Sequence, residues 1–290
     1  MAFDRYKLFE GRSLAHRLFK RHHTHFNDMF WSQRVVHDHA FSLTRPYQRE
    51  DPISALFAVE TNQPRSAQTL NDWAKWYSGF DDWSRMAYVI GIAGYLETYI
   101  AQIATAAFES TPSLLFGGGL KLDGAPFLKH NPKYDLYEHS ERLTKGDWQA
   151  RISAYRSLFG SCPFEDRLSD LEELRTLRNA AGHSFGRDIK SMKFAQGWEV
   201  KKIKRISDAK IIELLELIES VANHIEKHIA KELVGQYEII KVYHQWWPRS
   251  DPKTRTNTKL HGKDFRRHFF GLTSGVYRPT ALLFQYYDSL

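Results

Sequence analysis

Between Leu168 and Gly186 apolar residues return every third position, at Leu168, Leu171, Leu174 and Leu177, with acids ahead and arginines behind. That is the pattern of an amphipathic helix aligned with its own dipole. Ser169 or Asp170 can cap its start with Glu172 or Glu173 close behind, and Gly182 is the residue type that ends a helix or bends its last turn. A second pattern opens at Asp81 or Asp82, runs through Ser110 and stops at Thr111 before Pro112. It is apolar around most of its circumference, which predicts a helix at the centre of a bundle. Asp147 to Phe159 reads as a short helix ended by Gly160. Ser207 caps a long helix over 208–233, with Ile211, Leu214, Leu215, Ile218, Ala222, Ile225 and Ile229 on one stripe and Gly235 just past its end.

The remaining segments are less periodic. Leu8, Leu14, Leu18 and Phe19 suit a helix, Val35 to Leu43 suits a strand or a short helix, and Pro46, Pro52 and Pro64 then interrupt the pattern. Residues 111–140, with Gly117 to Gly119, then Gly124 and two prolines after it, read as a long loop. Within Ser184 to Ile206, Lys193–Phe194 and Trp198–Ile203 around Gly197 could form a small hairpin. No internal repeat is visible. The expected fold class is all-α, an up-and-down helical bundle, organised as an N-terminal extension (1–79), a helical domain (80–235) and a C-terminal extension (236–290).

Composition narrows the function classes. A chain of 290 residues with 42% hydrophobic content can bury a real core. It has no run of about 18 apolar residues, and its first residues lack a signal-peptide pattern, so a soluble, cytoplasmic protein with no membrane partner is expected. Cys162, the single cysteine, excludes an intramolecular disulfide; it sits between Ser161 and Pro163 without a local base and reads as structural. His22, His23, His25, His37 and His39 cluster near the N-terminus, but neither a Cys partner nor HExxH spacing accompanies them. They read as solvated or phosphate-contacting, and no metal or cofactor is expected. Gly117 to Gly124 lacks the Lys-Ser/Thr of a phosphate loop.

The net charge of +7 is unevenly spread. Residues 241–290 hold nine Lys/Arg against three Asp, a net +6, together with ten aromatics. Cations that neutralise phosphates and rings that stack bases are what a single-stranded nucleic acid needs. Lys241, Trp246, Trp247, Arg249, Lys263, Arg266 and Arg267 are the candidate RNA-binding residues. The bland alternative is a tail whose rings pack on the bundle and whose charges are only solvated.

The candidate chemistry lies at the end of the Leu168 helix, in Arg178–Asn179–Ala180–Ala181–Gly182–His183. On an unbroken helix, Arg178 and His183 would point about 140° apart at ~100° per residue. Gly182 can re-aim His183 and a second copy of the helix can face the first in a two-fold dimer, and both are expected. Glu97 lies on an apolar face of the preceding long helix and needs a cation or hydrogen-bond donors. Arg178 is its expected partner.

These residues resemble the HEPN superfamily (higher eukaryote and prokaryote nucleotide-binding), whose signature is Arg, four to six residues, then His, often with Asn directly after the Arg. Arg178, Asn179 and His183 match it, and the resemblance covers roughly residues 80–235. It implies a helical bundle that dimerises through the motif helices and, in active members, a metal-independent endoribonuclease giving 2′,3′-cyclic phosphate and 5′-hydroxyl ends. His183 would then act as general acid or base and Arg178 would bind the scissile phosphate. Asn179 would hold the phosphate or His183, and Glu97 would orient Arg178. The resemblance also implies a toxin or anti-phage setting, with an inhibitory or activating protein partner. Two other readings stay open: a catalytically inactive nucleotide- or nucleic-acid-binding dimeric scaffold, and a DNA-binding or assembly component working through its C-terminal segment.

Overall fold

A computed structural model describes residues 3–8, 11–59, 65–117, 121–184, 205–273 and 281–290. They are helical throughout, and among them β structure is limited to one isolated bridge, Pro52 with Thr69. In chain order the α-helices are α1 (Leu14–Thr44), α2 (Leu70–Ser110), α3 (Ser113–Phe116), α4 (Ala125–His130), α5 (Glu141–Thr144), α6 (Trp148–Phe159), α7 (Leu168–Ser184), α8 (Asp208–Ile225), α9 (Tyr237–Trp246), α10 (Pro252–Arg255), α11 (Thr258–Thr273) and α12 (Ala281–Ser289). A π-helical stretch, Glu226–Val234, continues α8. No helix among the described residues is long and apolar enough to cross a membrane. The hairpin expected at 193–203 lies outside the described residues.

Several helix ends fall where the sequence places them. The Asp147 side chain accepts the Ala150 N–H at 2.8 Å, and Gly160 stops α6 at φ +85°. The Ser207 hydroxyl accepts the Lys210 N–H at 3.1 Å at the start of α8. Two beginnings differ. The histidine-rich segment and Val35–Leu43 belong to one 31-residue helix, α1, and α2 begins eleven residues before Asp81. The start of α2 is fixed by Thr69, an N-cap whose hydroxyl accepts the Asp72 N–H at 3.1 Å and donates to the Asp72 carboxylate at 3.0 Å. The expected loop at 111–140 contains α3, α4 and a short 3-10 turn at Tyr137–Ser140.

The chain forms two compact units, one from residues 1–21, 95–171 and 219–290, the other from 22–94 and 172–218. In the first, the start of α1 is anchored by two acids distant in sequence. Glu226 accepts the Ser13 N–H at 2.6 Å and hydroxyl at 2.7 Å, and Glu238 accepts the N–H groups of Leu14 at 2.6 Å and Ala15 at 2.9 Å. The orphan donors of a helix N-terminus are thereby satisfied. Gly235 ends the π-helical stretch at φ +55°, where a Cβ would stand 2.3 Å from the Arg5 carbonyl oxygen. That close approach lets Gln236 N–H bond the Arg5 carbonyl at 2.8 Å. Beyond it, α9, α11 and α12 enclose an aromatic core of Tyr237, Tyr243, Trp246, Phe265, Phe269 and Phe284.

In the second unit, α1 and α2 run antiparallel. Phe41 meets Trp73 and Tyr77, and Phe26 and Phe30 meet Tyr88. Between these contacts lies a buried ion network. Asp81 accepts from Arg34 and from Arg85 at 2.7 Å each, and Asp208, at the start of α8, meets Arg85 at 2.8 Å and Arg34 at 3.2 Å. Asp81 is therefore the anion of a mid-helix lock and not a helix cap. Leu174, Ala181, Ile211, Leu214 and Ile218 supply the apolar core of the same unit.

Candidate functional site

Helix α7 carries the Arg178–His183 stretch on its last two turns and reaches Ser184 without interruption. Gly182 does not break it, contrary to the sequence expectation, because a single glycine costs only about 1 kcal/mol within a helix and the buried Leu174, Leu177 and Ala181 continue to hold the inner face. The ~140° divergence of Arg178 and His183 thus persists within one chain. Arg178 is half-buried, and its Nη1 donates to Asn179 Oδ1 at 3.1 Å. His183 is exposed in the final turn of the helix. One chain therefore presents a cation bonded by its neighbouring amide on one side of the helix and an exposed imidazole on another.

Glu97 meets a cation on helix α6. It accepts from Arg151 Nη1 of α6 at 3.1 Å, while the Arg151 guanidinium lies 4.7 Å from the Trp148 ring centroid and its Nε donates to the Gly146 carbonyl at 3.2 Å. Glu97 and Arg178 belong to different units of the chain. An acid on an apolar helix face was legible as needing a cation, and Arg151 is one that it meets.

The C-terminal candidates separate into two groups. Lys241 Nζ holds both oxygens of the wholly buried Glu109 at 2.7 Å, Trp246 sits in the aromatic core, and Trp247 packs against that core beneath the Arg255 guanidinium at 4.3 Å. Trp246 is buried, and Lys241 and Trp247 are half-buried in these contacts. Arg249, Lys263, Arg266 and Arg267 are exposed. On α11, Lys259, Lys263, Arg266, Arg267 and the 56% exposed Phe270 fall within about 100° of arc, and the opposite face buries Phe265 and Phe269. The result is a basic stripe with an aromatic ring inside it.

Elsewhere the charges are mostly spent. A cavity of about 310 Å³ beside α1, α2 and α9 is lined by Leu14, Leu18, Ala106, Tyr237 and Val242. Its charged residues, Glu109, Lys241 and Glu238, are engaged with one another or with backbone N–H groups. His23 bonds the Leu215 carbonyl at 3.1 Å, His37 sits beside Arg34 at 2.9 Å, and no group of three potential ligands able to hold a metal occurs among the described residues. Burial pushes the Cys162 thiol up to about 11, which keeps it protonated and non-nucleophilic.

Sequence reading missed a hydrogen-bond relay in the first unit. His228 Nε2 meets the Ser161 hydroxyl at 3.2 Å and its Nδ1 meets the buried Tyr155 hydroxyl at 3.0 Å. Burial lowers the His228 pKa and raises that of Tyr155, so both stay neutral near pH 7. The relay ties the end of α6 to the π-helical stretch. Its members lie 73 and 67 positions apart on separate elements, and no local motif announces it.

No protein-family model, curated protein or solved structure matches this chain.

Proposed function

We propose that the protein is a HEPN-type, metal-independent endoribonuclease. The observation that carries the reading is the end of α7, where Asn179 engages Arg178 and His183 stands exposed in the last turn. RNA brings its own nucleophile, so the protein has only protons to move and charge to stabilise. In this mechanism the imidazole of His183 takes part in the proton transfers: the 2′-hydroxyl loses its proton as its oxygen bonds to phosphorus, and the P–O5′ bond breaks as the 5′-oxygen gains one. Arg178, aimed by the Asn179 amide, forks onto the phosphate oxygens as negative charge accumulates. Because α7 is unbroken, the reading requires a second copy, with the phosphate held between Arg178 of one protomer and His183 of the partner subunit about a two-fold axis. The α11 stripe would capture the RNA backbone. The deciding experiment is cleavage of an RNA oligonucleotide in chelator with end-group analysis. Cyclic phosphate and 5′-hydroxyl ends, lost when a 2′-deoxynucleotide occupies the cleavage position, are expected; 3′-hydroxyl ends or chelator sensitivity would refute the mechanism.

A second reading, a nucleic-acid-binding module without turnover, draws on the α11 stripe alone. It expects RNA binding that survives Arg178→Ala and His183→Ala, with intact RNA in every case. A toxin or defence role controlled by a protein partner belongs to the first reading and rests on the family resemblance.

A further inference from the structure

Helix α2 carries a second pattern that the RNA chemistry does not use. Trp76, Phe80, Trp83 and Ile90 are 54%, 54%, 43% and 37% exposed. With the half-buried Ala87 they recur at alternating spacings of four and three, which is the a/d seam of a coiled coil. The seam covers about 21 Å of helix at ~1.5 Å per residue. On α1, Met29, Val36 and Leu43 recur every seven residues at 48%, 61% and 40% exposure. The contacts of Phe41 with Trp73 and of Phe26 with Tyr88 fix the antiparallel register. In that register both stripes fall on one side of the α1–α2 pair, opposite the side where Asp208 meets Arg34 and Arg85.

We infer that this face is an interface between two copies of the chain. At about 150–250 Å² for a whole aromatic side chain, the exposed parts of the two stripes amount to roughly 600 Å² per copy, above the few hundred Å² that monomers commonly leave bare. Two such faces together bury on the order of 1,200 Å², the lower limit of a stable specific interface. The α2 seam also complements itself. In an antiparallel two-fold pairing centred on Trp83, the two Trp83 rings meet at the axis, Trp76 opposes Ile90 of the partner subunit, and Phe80 lies nearest the partner's Ala87 among the seam residues. The hairpin pair becomes a four-helix contact built from α1 and α2, separate from any pairing through α7.

Site-directed cross-linking reads this interface alone. In a Cys162→Ala background, Trp83→Cys treated with a short bis-maleimide should run as a covalent dimer on a denaturing gel, whereas Ser78→Cys, on an exposed part of α2 away from the seam, should not. Independently, Trp76→Glu with Phe80→Glu should lower the mass measured by light scattering by half while leaving the far-ultraviolet circular dichroism unchanged, since both side chains are more than half exposed. Equal cross-linking at positions 78 and 83, no cross-linking at 83, or an unchanged mass for the double variant would overturn the inference and leave the face to some other partner.

Discussion

Replacing Glu238 with Gln should remove a large part of the pH dependence of stability between about pH 4.5 and 7. The Glu238 carboxylate is enclosed at the start of α1, where its two oxygens accept N–H groups from Leu14 at 2.6 Å and Ala15 at 2.9 Å. Burial favours the neutral acid and outweighs these two bonds; the nearby charge of Glu226 adds to it and that of Lys241 opposes it, so the pKa rises from its ordinary 4.5 to about 7. The folded protein therefore keeps this proton in a range where the unfolded chain releases it. The resulting stabilisation is fully present below pH 4.5, declines as pH rises through the window and is gone above pH 7. A shift of that size corresponds to about 3 kcal/mol at ~1.4 kcal/mol per unit. Gln cannot ionise, so its contribution is flat. Urea unfolding of wild type and Glu238→Gln at pH 5, 6, 7 and 8 should show the difference between the two moving by about 3 kcal/mol in the variant's favour toward pH 8. A difference that stays constant across the range would refute the reasoning, because contributions from other groups cancel between the two proteins.

Two further perturbations probe other parts of the structure. Asp81→Ala leaves the guanidinium groups of Arg34 and Arg85 in a buried network with Asp208 as their shared anion and should cost about 3–5 kcal/mol in urea unfolding; a loss below about 1 kcal/mol would mean the network is solvated. Converting Lys263, Arg266 and Arg267 to Ala should weaken RNA binding with little regard to sequence and reduce the slope of log affinity against log salt by about 2, at roughly 0.7 per phosphate contact on a single strand; an unchanged slope would remove the α11 stripe from the RNA surface.

Helix ends were legible where a local residue sets them. Asp147, Gly160, Ser207 and Gly235 act on backbone groups within a few positions, and each stands where the sequence reading put a boundary. The beginning of α2 was also written locally, in the Thr69 cap on Asp72, but the adjacent Asp81 and Asp82 make an equally plausible cap. Their true role depends on Arg34, 47 positions away from Asp81. Apolar periodicity also overstated the burial of the stretch from Asp81 to Ser110, since Trp83 and Ile90 lie within it and are 43% and 37% exposed. The reverse holds at the C-terminus, where Trp246 and Phe265 have the composition of a base-stacking surface and form the interior. A ring has the same hydrophobicity in either role, and only the packing of α9, α11 and α12 decides. At the candidate site, Arg178, Asn179 and His183 were legible as a motif, and the geometry adds the Arg178–Asn179 bond and the unbroken helix. The pairing of Glu97 with Arg151 is a long-range fact that no spacing rule carries.

The central claim is that the end of α7 cuts RNA. Its most direct test is incubation of the purified protein with total RNA and with tRNA in the presence of chelator, beside His183→Ala matched in circular dichroism and oligomeric state. The account expects cleavage by the wild type and none by the variant; cleavage that persists in His183→Ala, or RNA left intact by both, would contradict it.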